Sequence, residues 1–176
     1  DIYAAGDCAE FIEPKPGHPK IEQLWYTGRM QGEALARVLT GEREVYDRGI
    51  WFNSAKFFDI EYQTYGFVSN TPRDGEEHLW WAHPDGQHGI RIVFRKENRV
   101  VIGFNLMGIR YRQNVCQRWI KENRTIEYVL ENLGEANCDP EFFKQYESNI
   151  ITEYNRRYPT QNLLLQVQRG LHFISR

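Results

Sequence analysis

The stretch DIYAAGDCAE, residues 1–10, decides how the rest of the chain is read. Residues 2–5 form a short apolar run of the kind that makes an inner strand of a sheet, and Gly6-Asp7 ends it on a turn. A carboxylate at the carboxyl end of a strand suits a sugar hydroxyl, because it accepts hydrogen bonds where ligands of open α/β sheets bind. The plainer alternative for Asp7 is a strand-ending or helix-capping residue. No partner strand precedes the run and the first residue is not Met, so the chain is expected to begin in mid-sheet as a piece of a longer protein.

Outward from this stretch, residues 11–20 (FIEPKPGHPK) carry three prolines and a glycine, which excludes helix and inner strand and predicts a surface excursion. The spacing of Leu24, Gly28, Gln31, Leu35 and Val38 then predicts a helix over 24–39 that stops before Gly41. Gly28 and Gly32 each cost about 1 kcal/mol against alanine inside a helix, which predicts a close backbone approach on that side.

The run from Ile2 to Glu10, Leu24-Trp25 and Gln31-Gly32-Glu33-Ala34 together resemble the second flavin-binding fingerprint of the FAD-dependent pyridine nucleotide-disulfide oxidoreductases, the group of NADH oxidases, rubredoxin and ferredoxin reductases and CoA-disulfide reductases. Residues 53–66, NSAKFFDIEYQTYG, are similar to the opening strand of that family's C-terminal dimerisation domain. The two matches anchor about a third of the chain. The resemblance implies that Asp7 binds the ribityl chain of FAD, with Gly6 beside it at the cofactor, and that the helix beginning near Trp25 points its N-terminus at the flavin pyrimidine ring. In ferredoxin-reductase-like members an aromatic near the start of the C-terminal domain lies beside the isoalloxazine, and Trp51-Phe52 stands at about that place. Residues 53–56 look more like the CoA-reductase and NADH-oxidase branch. Cys8 follows Asp7, and nothing nearby in sequence marks it as a redox thiol.

Composition narrows the classes further. With 176 residues, 41% apolar and 26% charged, the chain holds one good domain plus part of another. A net charge of -2 gives no electrostatic case for nucleic acid or an anionic membrane. No apolar run approaches the ~18 residues of a membrane span. Cys8, Cys116 and Cys138 are too few and too scattered for a disulfide framework, which predicts a reducing, cytoplasmic setting.

Residues 42–49 read as a charged crossing into a second domain. From Trp51 the period becomes two, with Phe58, Ile60 and Tyr62 on one face of a half-exposed strand. Strands are predicted over 78–83, 90–96 and 100–106, with turns at Pro84-Asp85-Gly86 and Glu97-Asn98, giving an antiparallel meander with one buried face. Adjacent Trp80 and Trp81 must point to opposite faces, so one enters the core and the other needs cover. Three helices should close the buried face. The first carries Val115, Cys116, Trp119 and Ile120. The second carries Ile126, Val129, Leu130 and Leu133 and closes at Gly134. The third opens on Asp139-Pro140 and turns Phe142, Phe143, Tyr146, Ile150 and Tyr154 inward. His78, His83 and His88 cluster about the Pro84 turn, and with no Cys or carboxylate completing a ligand spacing they read as surface hairpin histidines rather than a metal site.

The expected fold is α+β: an antiparallel sheet covered by helices on one face, preceded by the last strand and helix of an FAD-binding α/β domain. Residues 1–46 belong to that first piece, 47–158 to the interface domain and 159–176 to a tail that is a docking strand, a partner-binding segment or a remnant. The resemblance implies a full-length oxidoreductase that passes hydride from NAD(P)H to FAD and on to an acceptor, a homodimer pairing through the C-terminal domain, and an electron-acceptor protein as partner. Gly6, Asp7, Trp25 and Phe52 are the cofactor-binding candidates. No catalytic residue falls in this chain, which alone should not turn over. The rival reading is a free-standing interaction or dimerisation module.

Overall fold

The computed structural model describes residues 2–15 and 18–166. The chain divides into two compact units, Asp1–Gly49 and Ile50–Arg176.

The first unit is built on helix α1, Trp25–Leu39. Its predicted span is met, and Gly41 follows at φ 94° with its N–H bonded back to the Val38 carbonyl. The proline-rich excursion is closed at its base by a bridge between Glu10 and Ile21. Residues 2–5 do not form the expected strand. A strand exists only through its ladder, and no described segment bonds alongside, so Ile2, Tyr3 and Ala4 are exposed. A Cβ on Gly32 would meet nothing within 4 Å and one on Gly28 would lie 3.8 Å from the Gly6 Cα, an ordinary contact. Among the described residues, backbone therefore approaches only Gly28, at the Gly6 turn, and not closely enough to require glycine.

The second unit is the α+β body. Strands β1 (Phe52–Phe57), β2 (Ile60–Gly66), β3 (Glu76–Ala82), β4 (Gly89–Arg95) and β5 (Val101–Met107) form one sheet in the order β1-β2-β5-β4-β3, with every pair antiparallel. The single strand expected after Trp51 is in fact a hairpin. Phe57 pairs with Ile60, and Phe58 takes a left-handed φ of 51° in the two-residue turn. No Asn-Gly or Asp-Gly marks that turn, so an unbroken period of two was the natural reading. At Gly103 a Cβ would collide with the Phe67 carbonyl, because Phe67 crosses directly over β5 and donates its N–H to Ile102 O at 2.8 Å.

Alternation puts Leu79, Ile90, Ile92, Phe104 and Leu106 on the face that helices α2 (Gln113–Lys121), α3 (Ile126–Glu131) and α4 (Glu147–Arg157) cover. Cys116, Trp119, Ile126, Val129, Leu130, Ile150 and Tyr154 complete a core with 0% exposure at each position. Each such aliphatic or aromatic side chain contributes about 1.5–3 kcal/mol of burial. Trp81 packs on this core, while Trp80 stays 41% exposed on the opposite face and stacks under Arg91, whose guanidinium carbon is 5.5 Å from the ring.

The third helix starts later than Asp139-Pro140 predicts. Asp139 has φ 49° instead of the extended conformation of an N-cap, residues 139–146 make a turn, and α4 begins only at Glu147. Phe142 and Phe143 accordingly lie 81% and 46% exposed, while Tyr146, Ile150 and Tyr154 face inward as expected. The start of the tail returns to the body. Leu163 is buried, its N–H and C=O are both held by the Asn155 side chain at 2.9 and 3.0 Å, and Gln166 N donates to Glu131 O. The basic end of the tail lies outside the described residues.

Candidate functional site

In the first unit, the Gly6-Asp7 turn and the start of α1 together shape a cleft of about 600 Å³ lined by Gly6, Asp7, Leu24, Trp25, Gly28 and Arg29. Gly6 has φ 101°, a conformation that favours glycine, and this sharp turn leaves Asp7 exposed. The helix end facing the cleft is capped by Leu24, which offers no side-chain hydrogen bond. An α-helix beginning without a capping oxygen keeps the positive end of its dipole available to an acceptor. Trp25 is 69% exposed, with Tyr26 edge-on at 5.3 Å and the Arg29 guanidinium 5.9 Å from its ring centre.

A buried polar network holds the turn against the helix. The Gly6 N–H donates to Gln31 Oε1 at 2.8 Å, and Gln31 Nε2 donates to Glu22 Oε2 at 3.3 Å. Glu22 also accepts from the Tyr46 hydroxyl at 2.7 Å and from Arg48 at 2.9 Å. Arg48 and Glu22 side chains are 4% and 2% exposed, a fully desolvated ion pair. Burial first, and the hydrogen bond to Glu22 next, push the Tyr46 hydroxyl well above the ordinary tyrosine range, so it stays a donor. Sequence reading found Gln31 in the fingerprint but missed Glu22, Tyr46 and Arg48. They are 9 to 26 residues from their partners, and only the charge of Glu22 just before a helix hinted at a role.

Of the four candidates, Gly6, Asp7 and Trp25 come together on this cleft. Phe52 belongs to the second unit, where it opens β1 opposite Tyr65 and is partly buried against that unit's core. Cys8 is exposed and Cys116 buried, its thiol pushed up by burial. About the Pro84 turn a carboxylate, Asp85, lies between two of the three histidines. His83, Asp85 and His88 bring ligand atoms within 4.8 Å of one another, while His78 sits apart beside Glu76.

This combination of a helix-backed cleft and a helix-covered antiparallel sheet is a fold shared with parts of larger chains of known structure. A NAD-dependent persulfide reductase from A. fulgidus superposes with a TM-score of 0.64 at 21% identity, over 91% of this chain and 32% of its own. LpdA from Mycobacterium tuberculosis does so with a TM-score of 0.50 at 18% identity, over 89% and 33%. The chain thus spans about a third of either protein. Both bear out the fold that the sequence resemblance implied. No family model matches the chain, and no curated protein does. Among the described residues no helix is long and apolar enough to cross a membrane.

Proposed function

We propose that this chain is the C-terminal portion of an FAD-dependent NAD(P)H oxidoreductase, its first unit closing the flavin site and its second pairing subunits. The observation that carries the reading is the Gly6-Asp7 turn, fastened through Gln31 and Glu22 to a helix whose uncapped N-terminus opens on the same cleft. Those residues fit the group. Asp7 is an exposed acceptor for the hydroxyls of a ribityl chain, and Gly6 gives the backbone curvature that places it. The first turn of α1, at Trp25, offers positive dipole to the carbonyl edge of a pyrimidine ring and favours negative charge gathering there. Phe52 is the fourth residue that the resemblance offers to the flavin. Bound FAD supplies the acceptance of hydride from NAD(P)H and the onward transfer of electrons to an acceptor. For pairing, the sheet face away from the helices presents Phe57, Trp80 and Met107 at 63%, 41% and 39% exposure.

The test uses the complete reading frame that contains this chain. The purified protein should carry one FAD per chain, oxidise NAD(P)H and elute as a dimer. Asp7→Ala should weaken flavin retention roughly 10- to 100-fold, the worth of a hydrogen bond to a charged group. A complete protein that neither binds flavin nor oxidises NAD(P)H overturns the reading, and if it is still a dimer the interaction module replaces it.

A further inference from the structure

We propose that His83, Asp85 and His88 form a three-ligand site for a divalent metal ion of the zinc class, carried on the turn between β3 and β4. The site lies within the second unit and stands independently of the flavin reading.

Two imidazoles and a carboxylate from one six-residue segment converge, with Asp85 Oδ2 3.0 Å from His83 Nδ1 and 2.7 Å from His88 Nδ1. Around a tetrahedral zinc with bonds of about 2.0–2.1 Å, neighbouring donor atoms stand about 3.3–3.4 Å apart. The Asp85 oxygen therefore needs to draw back from the two nitrogens by about 0.3–0.7 Å, within reach of small χ rotations.

The backbone of the turn is closed by its own hydrogen bonds. His83 N–H bonds to His88 O at 2.8 Å and Gly86 N–H to His83 O at 3.1 Å. Asp85 Oδ1 is occupied by the N–H groups of Gln87 at 2.9 Å and His88 at 3.3 Å. The carboxylate is thus oriented by one oxygen while the other is aimed between the rings, the arrangement by which backbone donors fix a metal-binding carboxylate.

The rings are held by packing: Tyr146, itself 5% exposed, has its centroid 5.4 Å from His83 and 5.2 Å from His88, and Trp81 lies 6.1 Å from His83. One side is walled by aromatics, and the ligands keep 26%, 36% and 28% side-chain exposure on the other, which leaves an entry path and room for a water as fourth ligand.

The experiment titrates the full chain, with any affinity tag removed, with Zn²⁺ against a chromophoric chelator, and repeats it with Co²⁺ to read the visible bands of a four-coordinate ion. One Zn²⁺ per chain is expected. His83→Ala and His88→Ala should each weaken it about 100-fold or more, beyond the 10- to 100-fold that lost supporting groups cost. His78→Ala and the Cys8→Ser/Cys138→Ser pair should leave it unchanged. Binding to the unsubstituted chain no tighter than to the His83→Ala/His88→Ala double variant, or binding lost in the cysteine pair, overturns the proposal. A check independent of any substitution follows the imidazole ¹⁵N resonances of the unsubstituted chain: Nδ1 of His83 and His88 should shift with one equivalent of Zn²⁺, and unmoved resonances also overturn it.

Discussion

The two units are held together by opposite means. In the first, Ala34 is the only buried apolar side chain among the described residues, and the centre is polar: Glu22, Thr27, Gln31 and Arg48. In the second, a continuous apolar core runs from Tyr65 to Leu163, and its buried polar residues, Thr64, Asn137 and Glu147, are scattered about it. The physical consequence is a difference in what each can tolerate. An apolar core is non-directional and degrades gradually with lost volume, whereas a buried ion pair is directional and fails when either partner goes. A first unit so poor in apolar burial, with a 390 Å³ hollow beside Tyr3, Ala5, Ala34, Leu35 and Val38, fits a piece that leans on further sheet in a longer protein.

That contrast can be broken in graded steps. The largest effect is expected from Phe104→Ala, which should cost about 4 kcal/mol and lower the main thermal transition, read by calorimetry. Next, Glu22→Ala leaves Arg48 charged, buried and unpaired, and should cost about 3 kcal/mol in the first unit alone. Hydrogen exchange should show α1 losing protection while β4 and β5 keep theirs; equal loss in both would refute a separate polar centre. Replacing both partners, Glu22→Met with Arg48→Met, should recover most of that stability. Thr125→Ala removes the side-chain acceptor at the N-cap of α3 and should cost about 1 kcal/mol by urea denaturation.

The smallest and most diagnostic step is acid. Burial raises the Glu127 carboxyl, but hydrogen bonds from Tyr154 and Arg99 outweigh it and leave its pKa lowered from 4.5. A depressed carboxylate stabilises the fold above its unfolded pKa, and that contribution drains away as pH falls below about 4.5 through the folded value. Glu127→Gln should therefore flatten the acid limb of the second unit's stability curve, and an unchanged limb would assign the loss elsewhere.

Much of the second unit was legible because its signals are periodic. The alternation of Ile90, Ile92 and Phe94 and the helical stripe of Val115, Cys116 and Trp119 each report burial directly. What escaped depends on geometry that composition does not mark. Phe58 turns the chain without glycine or asparagine, and Asp139-Pro140 has the residues of a helix start but the wrong φ. At the candidate cleft, Gly6, Asp7 and Trp25 were offered by the family resemblance, since the local pattern alone also makes Asp7 a strand-ending or capping residue. The Glu22 to Arg48 pair was not readable, since no short-range rule joins residues 26 apart. Asp85 was in plain view, but it was read as a turn former, and a turn carboxylate becomes a ligand only when the hairpin register brings His83 and His88 together.

The Asn155 clamp on Leu163 bears on modularity. A graft of this body onto another carrier, cut after α4, would lose both bonds made by the Asn155 amide and open a socket where Leu163 sits. The transplantable piece therefore runs from the start of β1 through residue 166, and a shuffling event that respected only helices and strands would deliver it incomplete.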